Sequence, residues 1–142
     1  MDIVNAASAR ADFYDRNAEG MQLGWSAAAT APHGLTVRDT YTVPASRKAI
    51  INSLELLIVR DLVGGINGYT QAWFSYTPFG GVAAFIAQLG DYNQVIGSKS
   101  LLATSPTFVM YPGDILTVNS ADSCGGGTNM YALYGLITEF DY

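Results

Sequence analysis

The stretch Lys48-Ala-Ile-Ile-Asn-Ser-Leu-Glu-Leu-Leu-Ile-Val-Arg-Asp61 decides the fold. Read as a helix it would be a long amphipathic rod. Read as a strand it commits the chain to β-structure. Ile50, Ile51, Ile58 and Val59 are β-branched, and no helix stop follows them. Branching at Cβ restricts χ1 and suits a pleated surface better than a helix, so strand is the reading. Its first half alternates. Ile50, Asn52, Leu54, Leu56 and Ile58 form the more apolar parity and are expected to face a core, with Ile51, Ser53, Glu55 and Leu57 on the other side.

Working outward, the segments on either side support the same class. Thr36 to Val43 is dense in β-branched residues and ends at Pro44. Gly64-Gly65 and Asn67-Gly68 are turn signals, followed by the aromatic strand Tyr69 to Thr77. Pro78 to Gly81 is another turn, and Val82 to Leu89 reads as a strand or a short helix. Asp91 to Ala103 is ambiguous. Thr107 to Tyr111 reads as a short strand ended by Pro112-Gly113, and Asp114 to Asn119 alternates clearly. Cys124 to Gly127 is a glycine-rich loop before a final strand, Met130 to Tyr142. About seven or eight short strands separated by turns predict an all-β sandwich or barrel over residues 36–142. Several strands are apolar on both parities. An antiparallel sheet commonly leaves one face polar, so an outer face covered by the arm or by other subunits is expected.

Residues 1–35 differ in character. They are rich in alanine and small polar residues and show no sustained period of two. They read as an irregular N-terminal arm, with weak support for a helix over Ala6 to Glu19. Phe13, Tyr14 and Trp25 are its candidate contacts to a neighbouring subunit, because large aromatics gain from burial.

Composition bounds the function. The 142 residues (15.2 kDa) are 49% hydrophobic and only 13% charged, against roughly 25% charged in ordinary soluble domains. Intrinsic disorder needs the opposite balance. Lys+Arg is 7 against Asp+Glu 12, a net charge of −5 that a phosphate backbone would repel, so no nucleic-acid partner is expected. The longest stretch without Asp, Glu, Lys or Arg, Leu62 to Gly90, is broken by glycines and Pro78, so no membrane-spanning helix is expected. The first twenty residues carry Asp2, Arg10, Asp12, Asp15, Arg16 and Glu19, which argues against a signal peptide. The single cysteine, Cys124, has no intrachain partner, in keeping with synthesis in a reducing cytosol. Burial against other subunits is the remaining account of the low charge.

The catalytic inventory is thin, and the reading is of a non-enzymatic protein without cofactor or metal. His33 is the only histidine and sits in a Pro-His-Gly turn without an identifiable orienting partner. Cys124 lacks a nearby base to activate it. Gly64-Gly65, Gly80-Gly81 and Gly125-Gly126-Gly127 match neither a phosphate loop nor a dinucleotide fingerprint and read as turns. Asp114, Asn119 and Asp122 offer oxygens but not at EF-hand spacing. Trp73 shares a parity with Tyr69 and could form a sugar-stacking platform, while Phe74 and Tyr76 share the other.

Two segments point further. Tyr41-Thr-Val-Pro44-Ala-Ser-Arg47-Lys48-Ala-Ile-Ile51 joins a strand to a long apolar strand through a proline turn. Tyr111-Pro112-Gly113-Asp114-Ile-Leu-Thr-Val118 feeds an alternating strand from a tight turn, and the chain closes on Leu136-Ile-Thr-Glu-Phe140. Together they resemble small jelly-roll structural proteins of tailed bacteriophages, of the capsid decoration (cement) type. The resemblance covers residues 36–142 and marks Pro44, Pro112, Gly113 and Asp114 as structural turns. It implies a jelly-roll-like β-sandwich, a homotrimer, the major capsid protein or another virion protein as partner, and a place on the capsid surface after synthesis in the host cytoplasm. Rival readings are a carbohydrate- or receptor-binding module of a phage fibre or tail, a small hydrolase and a self-assembling shell protein.

Overall fold

The computed structural model describes residues 19–29, 34–61, 70–91, 99–122 and 128–142. They form nine strands, β1 (Glu19–Ala29), β2 (Gly34–Thr42), β3 (Arg47–Asp61), β4 (Thr70–Thr77), β5 (Ala84–Asp91), β6 (Lys99–Thr104), β7 (Val109–Met110), β8 (Ile115–Asp122) and β9 (Thr128–Asp141). One sheet has the order β1-β9-β3-β6, with β7 also paired to β3; the other has the order β2-β8-β4-β5. All pairings are antiparallel. The pairs are nested: β1 with β9, β2 with β8, β3 with β6, β4 with β5. A long hairpin rolled into two stacked sheets gives this order, which is the jelly roll. The expected all-β sandwich is the observed fold.

The core lies between the sheets. Leu54, Leu56, Ile58, Leu133 and Ile137 from one sheet meet Phe74, Ala72, Leu116 and Val118 from the other, all essentially without solvent exposure. Burying each large aliphatic or aromatic side chain contributes about 1.5–3 kcal/mol. Gly135 has a packing reason: a Cβ there would lie 3.2 Å from Leu54 Cδ2 and 3.5 Å from Phe74 Cε1. The tight neighbour is Leu54, on the adjacent strand, while the Phe74 ring of the opposite sheet would be in ordinary contact.

Lys48 to Asp61 is a strand, as expected, but its parity is not constant. A register shift against β9 falls between Ile51 and Ser53. Ala49 and Ile51 therefore point inward before it, and Leu54, Leu56 and Ile58 after it. Asn52, assigned to the core parity by alternation, is exposed, because one extra residue in a strand swaps the faces of everything beyond it.

The irregular arm expected over residues 1–35 differs from the structure at Glu19–Ala29. That segment is an edge strand paired along its whole length with β9, Trp25 opposite Leu133. Gly20, Gly24 and Ala27 to Ala29 have low strand propensity, so the strand is set by its neighbour's ladder and not by its own sequence. The weak helix over Ala6 to Glu19 lies outside the described residues up to residue 18, and Glu19 is in β1. Val82 to Leu89, strand or helix in the sequence, is β5 from Ala84 onward, and the ambiguous Asp91 to Ala103 contributes the start of β6 at Lys99. Among the described residues no helix is long and apolar enough to cross a membrane.

Candidate functional site

One end of the sandwich gathers the β2–β3, β4–β5 and β7–β8 connections, and the predicted turn residues Pro44, Pro112, Gly113 and Asp114 converge there. Pro44 fixes the entry to a turn in which Arg47 N donates to Pro44 O at 3.1 Å. Pro112-Gly113 turns the chain so that Asp114 N donates back to Tyr111 O at 3.0 Å. Gly113 adopts φ +85°, a left-handed conformation that L side chains rarely take. Two backbone bonds tie this turn to the β2–β3 connection: Val43 N to Asp114 O and Gly113 N to Val43 O, both 2.9 Å.

Asp114 is the hub. Its side chain is buried, with the residue only 4% exposed, and the carboxylate accepts three hydrogen bonds, each 2.8 Å long. Phe79 N donates to Oδ1, and Tyr111 N and the Tyr76 hydroxyl donate to Oδ2. A buried carboxylate is tolerated where donors replace its water. Here the donors come from two connections and one strand, so a single side chain clamps the loop cluster. Burial, then the bond to Asp114, pushes the Tyr76 phenol up to about 12.

Beneath this clamp is a second polar group. The Tyr41 hydroxyl donates to Glu139 Oε1 at 2.7 Å, Arg47 Nε lies 3.6 Å from Glu139 Oε2, and Arg47 Nη1 donates to Asp141 at 2.9 Å. Burial, followed by the bond to Glu139, raises the Tyr41 phenol far above its ordinary range. Lys48 Nζ sits 4.2 Å from the Tyr142 ring centroid and 5.1 Å from that of Tyr111. Tyr142 N donates to Ser46 O, which holds the end of β9 to the same connection.

What this frame presents outward is apolar. Phe79 is 81% exposed, Val82 87% and Phe85 65%. Phe79 is fixed by its backbone bond to Asp114, and its ring lies over Gly113, where a Cβ would come within 2.6 Å of Phe79 Cδ2. The turn before Val82 closes with Gly81 N donating to Pro78 O at 2.8 Å. Phe85 owes its exposure to a bulge. Phe74 is opposite Ala87 but Ser75 is opposite Phe85, so Ile86 is the extra residue in β5. Simple alternation would send Phe85 inward with Ala87. The bulge turns it to the outer face, edge-on to Trp73 with ring centroids 5.8 Å apart. Leu101 and Leu136 are exposed separately on the outer face of the other sheet.

Of the remaining sequence candidates, Trp25 lies in β1, while Phe13, Tyr14, His33, Tyr69 and Cys124 lie outside the described residues. Asn119 donates to Ser75 Oγ and Thr117 O, and Asp114 is committed to its three donors. Among the described residues no group of three or more His, Cys, Asp or Glu is placed to hold a metal ion. Sequence reading missed Phe79, Val82 and Phe85. The available signal was a pair of phenylalanines flanking Gly80-Gly81 inside the uncharged stretch.

The sheet order defines the class: an eight-stranded jelly-roll sandwich with a short additional strand, β7. No protein-family model matches the chain, and no curated protein matches it in sequence. Solved structures do match in fold. The structure of the infectious bursal disease virus Gx strain aligns over 88% of this chain and 32% of its own, with a TM-score of 0.50 and 13% identity. The VP2 subviral particle of the same virus aligns over 88% and 33%, with a TM-score of 0.46 and 12% identity. Eiger TNF from S. frugiperda aligns over 89% of this chain and 94% of its own, with a TM-score of 0.41 and 11% identity. This chain thus spans about a third of the viral chains, and the likeness to the Gx-strain structure is one of fold.

Proposed function

We propose that this chain is a non-enzymatic virion structural protein, a capsid decoration (cement) protein of the kind carried by tailed bacteriophages. In this reading it is made in the host cytoplasm, forms a homotrimer and binds the major capsid protein or another virion protein on the capsid surface. The observation that carries the reading is the ordered apolar tip of a jelly-roll frame. Phe79, Val82 and Phe85 are exposed, while the polar groups behind them serve to hold loops together. Rigidly displayed apolar patches mark contact surfaces. Stabilisation of the shell follows from mass action, since a protein that binds only the assembled lattice shifts the equilibrium towards it. Phe13, Tyr14 and Trp25 are proposed as further contacts to a neighbouring subunit or the capsid. Imaging virions with and without the protein tests this. The expected result is surface density that disappears with the gene and shells that open at lower temperature; virions identical in both respects would refute it.

The Trp73–Phe85 ring pair favours a second reading, a carbohydrate- or receptor-binding module of a fibre or tail. A glycan array is expected to be blank under the first reading and to show Trp73-dependent binding under the second.

A further inference from the structure

We infer that the β4–β5 hairpin end, Phe79, Val82 and Phe85 with Trp73 beside them, is the surface through which copies of this chain associate. This deepens the oligomeric part of the proposed function and rests on it. Three observations select a second copy as the occupant.

The first is charge. From Thr70 through Gly90 the hairpin has no Asp, Glu, Lys, Arg or His. In a contact between copies both faces come from the same acidic chain, of net charge −5, so a face without charge avoids setting carboxylate against carboxylate. The same net charge opposes adsorption to an anionic lipid surface.

The second is the sheet edge. β5 is the outermost strand in the order β2-β8-β4-β5. Edge strands usually carry charge or proline that discourages pairing. β2, the opposite edge, has Arg38 and Asp39 at its register shift. β5 has neither device from Ala84 to Gly90. Its bulge at Ile86 interrupts the ladder, which favours a discrete side-chain contact over continuous strand addition, and it is also what turns Phe85 outward.

The third is area. Phe79, Val82 and Phe85 are 81%, 87% and 65% exposed, and with the exposed Ala83 and Ala84 they supply the apolar centre of an interface of roughly 800 Å² per partner.

The test is sedimentation velocity of the full chain across the micromolar range, with Phe85→Ser and Val82→Ser variants and Leu136→Ser as a control on the other sheet. Melting curves accompany each. The wild type and Leu136→Ser are expected to self-associate, and each hairpin variant to do so about tenfold more weakly, the effect of losing a contact hot spot. Because these side chains are exposed, melting is expected to be unchanged at concentrations where the chain is monomeric. Should a variant melt early, Val82→Cys in a Cys124→Ser background gives a second readout: its thiol is expected to be alkylated more slowly at concentrations where the chain is associated. A monomeric wild type, hairpin variants that associate like the wild type, or a thiol alkylated equally fast at every concentration would overturn the inference. So would hairpin-dependent flotation of a monomeric chain with phosphatidylcholine vesicles. Co-sedimentation with capsid shells separates the two claims. A monomeric chain that binds shells refutes self-association and leaves decoration standing; a hairpin-dependent oligomer that ignores shells does the reverse.

Discussion

Two groups within one loop cluster invert the usual arrangement of a protein. Asp114, a carboxylate, is inside, and Phe79, Val82 and Phe85 are outside. At Phe79 the two halves of the inversion are joined. Three donors satisfy the buried carboxylate, and one of them, Phe79 N, belongs to the residue whose ring is presented to solvent. The exposed group is held, so displaying it costs little further entropy when a partner covers it, which is what preorganisation means for binding. Leu101 and Leu136 differ, since they sit on the outward parity of regular strands in the other sheet.

The largest expected effect comes from removing the hub. Asp114→Ala leaves two backbone N–H groups and the Tyr76 hydroxyl without their acceptor and is expected to cost about 3–5 kcal/mol in urea unfolding. Asp114→Asn, which keeps the shape, should cost roughly half of that. If both are silent, the hairpin end is ordered by something other than Asp114, and the comparison fails.

Gly113→Ala combines an unfavourable φ with a Cβ driven into the Phe79 ring. It is expected to destabilise by about 1–3 kcal/mol and, unlike a core truncation, to weaken self-association as well. Unfolding and sedimentation on the same sample separate the two consequences.

Alkaline pH probes the clamp without a change of shape. Tyr76 is neutral when it donates to Asp114, and its folded pKa is raised from 10 to about 12. Its contribution is therefore fully present below pH 10 and lost as pH rises through 12. Tyr41 acts in the same direction at higher pH. Tyr76→Phe is expected to cost about 0.5–1.5 kcal/mol at neutral pH and to flatten the decline between pH 10 and 12. An unchanged alkaline limb would dissociate Tyr76 from the clamp. The smallest effect is expected at Leu136→Ser, within about 0.5 kcal/mol of the wild type, as for most exposed sites.

The long apolar strand, the Pro44 and Pro112-Gly113 turns and the all-β class were legible in the sequence, since each depends on neighbours along the chain. β1 was not. Gly24 and Ala27 to Ala29 do not favour a strand by themselves, and the ladder that makes them one is a hundred or more residues away in β9. The inward turn of Ile51 and the outward turn of Phe85 were also hidden, because a bulge is a relation between two strands and leaves no mark in either. Asp114 was legible as a turn residue but not as a hub. Its donors Tyr76 and Phe79 lie 38 and 35 positions away.

The nested pairing has a consequence for timing. β9 lies between β1 and β3, and in its sheet β1 pairs with β9 alone among the described strands. Among the described strands, the earliest made must therefore wait for the latest. The β4–β5 hairpin needs no such wait, since its two strands are separated only by a short turn. The surface assigned to self-association is completed later, because Phe79 is held by Asp114, which is made after the hairpin; copies therefore meet through the ordered surface only once the β7–β8 connection has emerged.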